Sequence, residues 1–127
     1  MTGRDVFEYA LLRVVPRVER GECFNAGVLV YCRAQSFVAA RTHLDERKLK
    51  ALDPQADVLG VRAALQAVEG VCTGGEAAGQ AAGDDPGRRF RWLIAPRSTV
   101  VQPGAVHSGL TADPAAEVER LLDLLVR

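Results

Sequence analysis

Arg13 and Arg17 stand four residues apart in a segment, Tyr9 to Thr42, whose hydropathy alternates with period two. In a strand that spacing puts Tyr9, Leu11, Arg13, Val15 and Arg17 on one face and Ala10, Leu12, Val14 and Val18 on the other. Guanidinium groups gathered on one face suit planar oxyanions, and aromatic neighbours add a stacking surface. The chemistry on offer is recognition of a phosphate, a nucleic-acid backbone or an acidic protein surface. If the first two strands pair in register, Tyr31 and Arg33 join this face, followed by Arg41 from a third strand. A blander assignment has Glu8, Glu19, Glu22 and Asp45 neutralising these arginines on a solvated or helix-covered surface, since exposed ion pairs are common and individually weak.

A second group, Arg97, Ser98, Gln102 and His107, falls around the late strands. Serine and histidine can act as nucleophile and base, but no G-x-S-x-G elbow is present and no orienting carboxylate stands at a matching spacing. No catalytic residue is assigned. Asp84 and Asp85 lack further ligands for a metal, and a lone histidine is more often a structural hydrogen-bonder. Cys23 would be reactive only beside a positive group, and a small buried hydrophobe is the simpler account. The glycines after residue 70 do not spell a phosphate loop, because the G-x-x-x-x-G-K-[ST] pattern is missing and no strand leads into them. No cofactor or metal is implied.

Sixteen basic and sixteen acidic residues give a formal net charge of zero, so bulk charge attracts neither nucleic acid nor membrane; only a local patch could. A length of 127 residues suits one domain with a core of its own. Cys23, Cys32 and Cys72 are three in number and match neither a metal knuckle nor a disulfide framework, which points to reduced thiols in the cytoplasm. No stretch approaches the ~18 apolar residues of a membrane span.

The elements that must position these side chains come from the same periodicities. After Val18 the polar cluster 19–22 turns the chain, Cys23 to Arg33 resumes the alternation, and Phe37 to Thr42 forms a third strand of an antiparallel meander. Pro16 cannot donate into a ladder, which marks the first strand as an edge or as bulged there. Asp45 caps a short helix through Leu52, closed by Asp53-Pro54. A longer helix carries Val58, Val61, Leu65, Val68 and Cys72 on one stripe, facing the dry side of the sheet. A glycine- and alanine-rich segment, about 73–89, reads as a mobile loop. Phe90 to Ala95 and Thr99 to Gln102 read as strands, with Trp92 as a core anchor. Asp113 caps a final helix over Pro114 to Val126, with Val118, Leu121, Leu122 and Leu125 on its apolar face.

Four blocks of residues carry a resemblance. They are Tyr9-x-x-x-Arg13-Val14-Val15-Pro16, Gly21-Glu22-x-Phe24-Asn25-x-Gly27-Val28, Ala95-Pro96-Arg97-Ser98, and Val106-His107-x-Gly109-Leu110-Thr111-x-Asp113-Pro114. In this order they resemble the bacterial domain-of-unknown-function 3037 family over almost the whole chain. The resemblance implies no activity to carry over, and at most an accessory role beside HipA-like kinase proteins, next to which members are often encoded.

The expectation is one α+β domain over residues 1–127, with an antiparallel sheet of four or five strands and helices mainly on one face. The expected function is a non-enzymatic binding or accessory protein of the bacterial cytoplasm. It would work on a protein partner through the arginine-bearing sheet face or an edge strand. The alternative is a phosphate-directed enzyme or nucleic-acid binder in which arginines converge. The residues expected at the site are Arg13, Arg17, Tyr31, Arg33, Arg97 and His107.

Overall fold

The alternation becomes a meander of three antiparallel strands, β1 (Asp5–Val14), β2 (Phe24–Cys32) and β3 (Phe37–Thr42). The computed structural model describes residues 3–74 and 85–127. Two short strands, β4 (Val101–Pro103) and β5 (His107–Thr111), pair one after the other along the remaining side of β1, giving a five-stranded sheet of order β3-β2-β1-β4 with β5 also on β1. The first strand is therefore central and not an edge. It ends at Val14, short of Pro16, so the proline costs the ladder nothing. The loop between β1 and β2 turns at Gly21, whose φ of 72° is open to glycine at no steric cost.

The β1–β2 ladder contains a bulge. Leu12 pairs with Gly27 but Arg13 pairs with Asn25, so Ala26 is an extra residue on β2. On the other side of the bulge, Tyr9 faces Val30 and Glu8 faces Tyr31. Tyr31 therefore lies on the side opposite Tyr9 and Arg13, one residue out of the register that would have joined them.

Among the described residues four helices cover both sheet faces, three of them on one. On the face of Leu12, Leu29, Tyr31 and Ala40 lie α2 (Val58–Thr73) and α3 (Pro86–Leu93), with Val71, Cys72, Phe90 and Leu93 buried against it. Leu49 of α1 (Glu46–Leu52) packs beside Val14, Ala26, Val61 and Leu65. The opposite face carries Phe7, Val28, Val30 and Cys32 beneath Val118, Leu121 and Leu122 of α4 (Pro114–Leu125), with Tyr9 and Leu11 half-buried at the margin. The side expected to be open and basic is thus largely roofed by a helix. Each helix begins at an aspartate whose carboxylate accepts backbone N–H groups: Asp45, Asp57, Asp85 and Asp113.

Two expectations change in the 85–95 region. Phe90 to Ala95 is not a strand, since α3 occupies Pro86–Leu93, with Asp85 capping and Pro86 in the first turn. Trp92 is not a core anchor: Phe90 and Leu93 take the buried side of α3, and Trp92 is 44% exposed. Most of the glycine- and alanine-rich stretch expected as a loop at 73–89 lies outside the described residues, but its last five residues contain the cap and first turns of α3. No described helix is long and apolar enough to cross a membrane.

Candidate functional site

The arginines singled out by spacing do not converge. Arg17 sits in the loop after β1, where it pairs with Glu19 at 3.3 Å. Arg33 begins the turn at the far end of β2, so the length of that strand, roughly 30 Å, separates the two. Arg41 reaches Glu119 of α4, Glu22 binds Arg20, and Glu8 takes a two-pronged contact from Arg91. The pairing of charges within the surface, rather than a pooled basic face, describes most of this set.

Tyr31 is buried and stacks on Phe90 at 5.1 Å between ring centroids, with Arg91 over both rings. Arg13 and His107 do share a face. His107 opposes Tyr9, ring centroids 5.3 Å apart, and Arg13 opposes Gln102. Arg13 is exposed, and its guanidinium lies against Gly104, where a Cβ would stand 3.2 Å from Cζ. No acidic partner of Arg13 occurs among the described residues. Ser98 lies in the loop after α3, and no hydrogen bond between described residues joins it to His107.

Arg97 is on the other side of the sheet, in a feature that spacing does not suggest. Between α2 and the 92–101 segment runs a groove of about 660 Å³. Its walls are aliphatic: Val61, Ala64, Ala67, Val68 and Val71 from α2 face Leu93, Val100 and Val101. Trp92 stands at the groove with Arg97 stacked on its indole at 4.9 Å from the ring centroid. Arg97 is held there by its own backbone neighbours, donating from Nη2 to the Trp92 carbonyl at 2.6 Å and from Nε to the Ala95 carbonyl at 3.3 Å. Asp53 and Asp57 line the groove near the start of α2. A volume of this size is typical of sites that hold small molecules or anchor side chains. The single sequence signal is the presence of Val61 and Val68 on the stripe of α2, which reads equally well as core.

Comparison with known families supplies the deciding observation: the family model described as a protein of unknown function, DUF3037, matches residues 9–126. The chain belongs to the DUF3037 family. No curated protein and no solved structure matches it. Within this DUF3037 chain most of the four sequence blocks have fold-building work. Asn25 donates to the carbonyl of Leu125 at 3.2 Å, satisfying the end of α4. Gly27 lets the backbone of Arg41 approach, Gly109 lies under the ring of Phe7, and Asp113 caps α4. Arg97 is the block residue that shapes the groove.

Burial pushes the Cys72 thiol up to about 12, with Glu69 adding to the rise and Arg89 opposing it. Such a thiol is protonated and inert at neutral pH. In the exposed loop before β2, backbone hydrogen bonding and Arg17 hold Glu19 below its ordinary value, and Arg20 does the same for Glu22. These are solvated pairs and mark no site.

Proposed function

We propose that this protein is a non-enzymatic binding or accessory protein of the bacterial cytoplasm, and that the groove between α2 and the 92–101 segment receives its partner. One observation carries the reading: an aliphatic groove of about 660 Å³ with a half-exposed tryptophan braced beside it. Exposed aromatic surface next to an apolar recess is the composition of binding anchors. The arginine-bearing sheet face has less support as the contact surface, because α4 roofs that face and Arg17 is internally paired. The phosphate-directed alternative loses support because Arg13, Arg17, Arg33 and Arg97 are dispersed. An edge strand is a weaker candidate as well, since Glu69 already accepts the outward N–H of Thr42 on β3 at 3.0 Å.

Trp92 is the chain's only tryptophan, so its emission reports directly on the groove. Titration with the neutral apolar dye Nile red should give a saturable response. Ala67→Glu places a carboxylate on an exposed wall position at little cost to the helix and should abolish that response without shifting Tm. A wild-type protein that gives no saturable response rejects the groove as a binding site. A HipA-like kinase is the first partner to test: retention by the wild type and loss with Ala67→Glu would support it, and equal retention would separate the kinase from the groove.

A further inference from the structure

The groove is long and narrow. It follows α2 from Asp57 to Val71, a path of about 20 Å at the rise of an α-helix. Spread over that length, its 660 Å³ suits an elongated occupant that lays a row of side chains along it, and a small dye fills only part of it. Its polar groups are also unevenly placed: the middle is aliphatic, Asp53 and Asp57 line it where α2 begins, and the guanidinium of Arg97 is held against Trp92 on the facing segment.

Those carboxylates have no ion-pair partner among the described residues. Asp57 Oδ1 accepts from the Gly60 N–H at 2.9 Å and Asp53 Oδ1 accepts from the Gln55 N–H at 3.0 Å. Neither forms an ion pair with any described residue, and in both the second oxygen accepts no hydrogen bond from a described residue. The start of α2 contributes only about half a positive charge, so two carboxylates leave that end of the groove negative. We infer that the occupant is an amphipathic helical segment of a partner protein, with a row of apolar side chains in the groove and a lysine or arginine over Asp53 and Asp57. This rests on the groove being the binding site. A helix of about 14 residues spans the same 20 Å, and helix-in-groove docking places anchors at i, i+3 or i+4 and i+7 along such a path.

The test uses two synthetic 14-residue peptides with the same leucine stripe, one ending in two lysines and the other in two glutamates, titrated into the full chain. Trp92 emission and the anisotropy of labelled peptide are the readouts, with Nile red as a third ligand. The lysine peptide should bind more tightly than the glutamate peptide. Asp53→Asn with Asp57→Asn keeps both side-chain caps, since asparagine accepts the same N–H bonds. It should weaken the lysine peptide by about fivefold, the sum expected of two exposed pairs, and leave the glutamate peptide no weaker. Equal binding of both peptides to the wild type overturns the inference. So does failure of both peptides while Nile red still binds, an outcome that leaves the groove itself standing. Silence from all three ligands overturns the inference and the groove reading together.

Discussion

The guanidinium of Arg97 lies 4.9 Å from the centroid of the Trp92 indole while donating to the carbonyl of that same residue. The two side chains are thus held as one unit, a flat amphipathic wall built from residues five apart in sequence. Arg97→Ala frees the indole from one side. The expected cost in stability is about 0.5–1 kcal/mol, the value of an exposed cation–π contact. The sharper consequence is optical: the Trp92 emission maximum should shift, and Nile red affinity should change with it. Fluorescence spectra of the two proteins at one temperature check this.

Gly27 is hemmed in by the backbone of a neighbouring strand. A Cβ there would stand 2.9 Å from the carbonyl oxygen of Arg41 and 3.1 Å from a methyl of Leu12. The oxygen belongs to the backbone of a paired strand and cannot swing away. Gly27→Ala should destabilise the protein by about 1–3 kcal/mol, as overpacking does elsewhere, and urea unfolding measures it.

Asn25 ties the start of β2 to the last turn of α4 across a hundred residues of chain. Asn25→Ala should cost about 1 kcal/mol, the net worth of a hydrogen bond in a half-buried setting. Asn25→Asp should cost more, since a carboxylate would then face a carbonyl oxygen. The order of the two unfolding midpoints is the check.

Cys72 couples stability to alkaline pH. The folded thiol holds its proton to about 12, against an ordinary value of 9.0 in the unfolded chain. Unfolding therefore releases a proton between those limits, so stability is complete below pH 9 and falls as pH rises through the window. The slope from one such group is at most about 1.4 kcal/mol per pH unit. Urea unfolding at pH 8, 9 and 10 should show a gentler decline in Cys72→Ala than in the wild type. Thiol labelling at pH 8 should modify the exposed Cys23 and spare the buried Cys32 and Cys72 until the protein unfolds.

Arg13 has no acidic partner among the described residues and rests on Gly104. Arg13→Glu should leave stability within about 0.5 kcal/mol of the wild type. It should also leave Nile red binding unchanged, because the groove is on the opposite face. A loss of groove binding in this variant would show that the two faces are coupled.

Much of the fold is legible in local pattern. β3 spans Phe37–Thr42 and α4 begins at the Asp113-Pro114 pair, each where periodicity and capping place it. Strand ends differ where pairing partners decide them: β1 starts at Asp5 because β5 runs alongside it from Thr111 to His107. Composition obscures α3, since Phe90, Trp92 and Ile94 favour strands individually, while Asp85-Pro86 carries the same start signal as Asp113-Pro114. Burial of Phe90 and Leu93, three apart, shows that tertiary packing obeys the helical period. Tyr31 lands on the face opposite to the expected one because a single bulged residue inverts every side chain beyond it. The groove is invisible in the sequence for a different reason: its walls come from 53–71 and 92–101, and no local pattern reports that two distant segments leave a gap between them.

The way β1 is flanked bears on how the polypeptide reaches this state. Its neighbours on one side, β4 and β5, are made from residues 101–111, so during synthesis β1 must wait for a long stretch of further chain with half of its amides unmet. Only the nearby hairpin with β2 can assemble early. Maturation then depends on a late, long-range closure that fixes the sheet's interior last, and chains interrupted before that closure would expose a ready template for self-association.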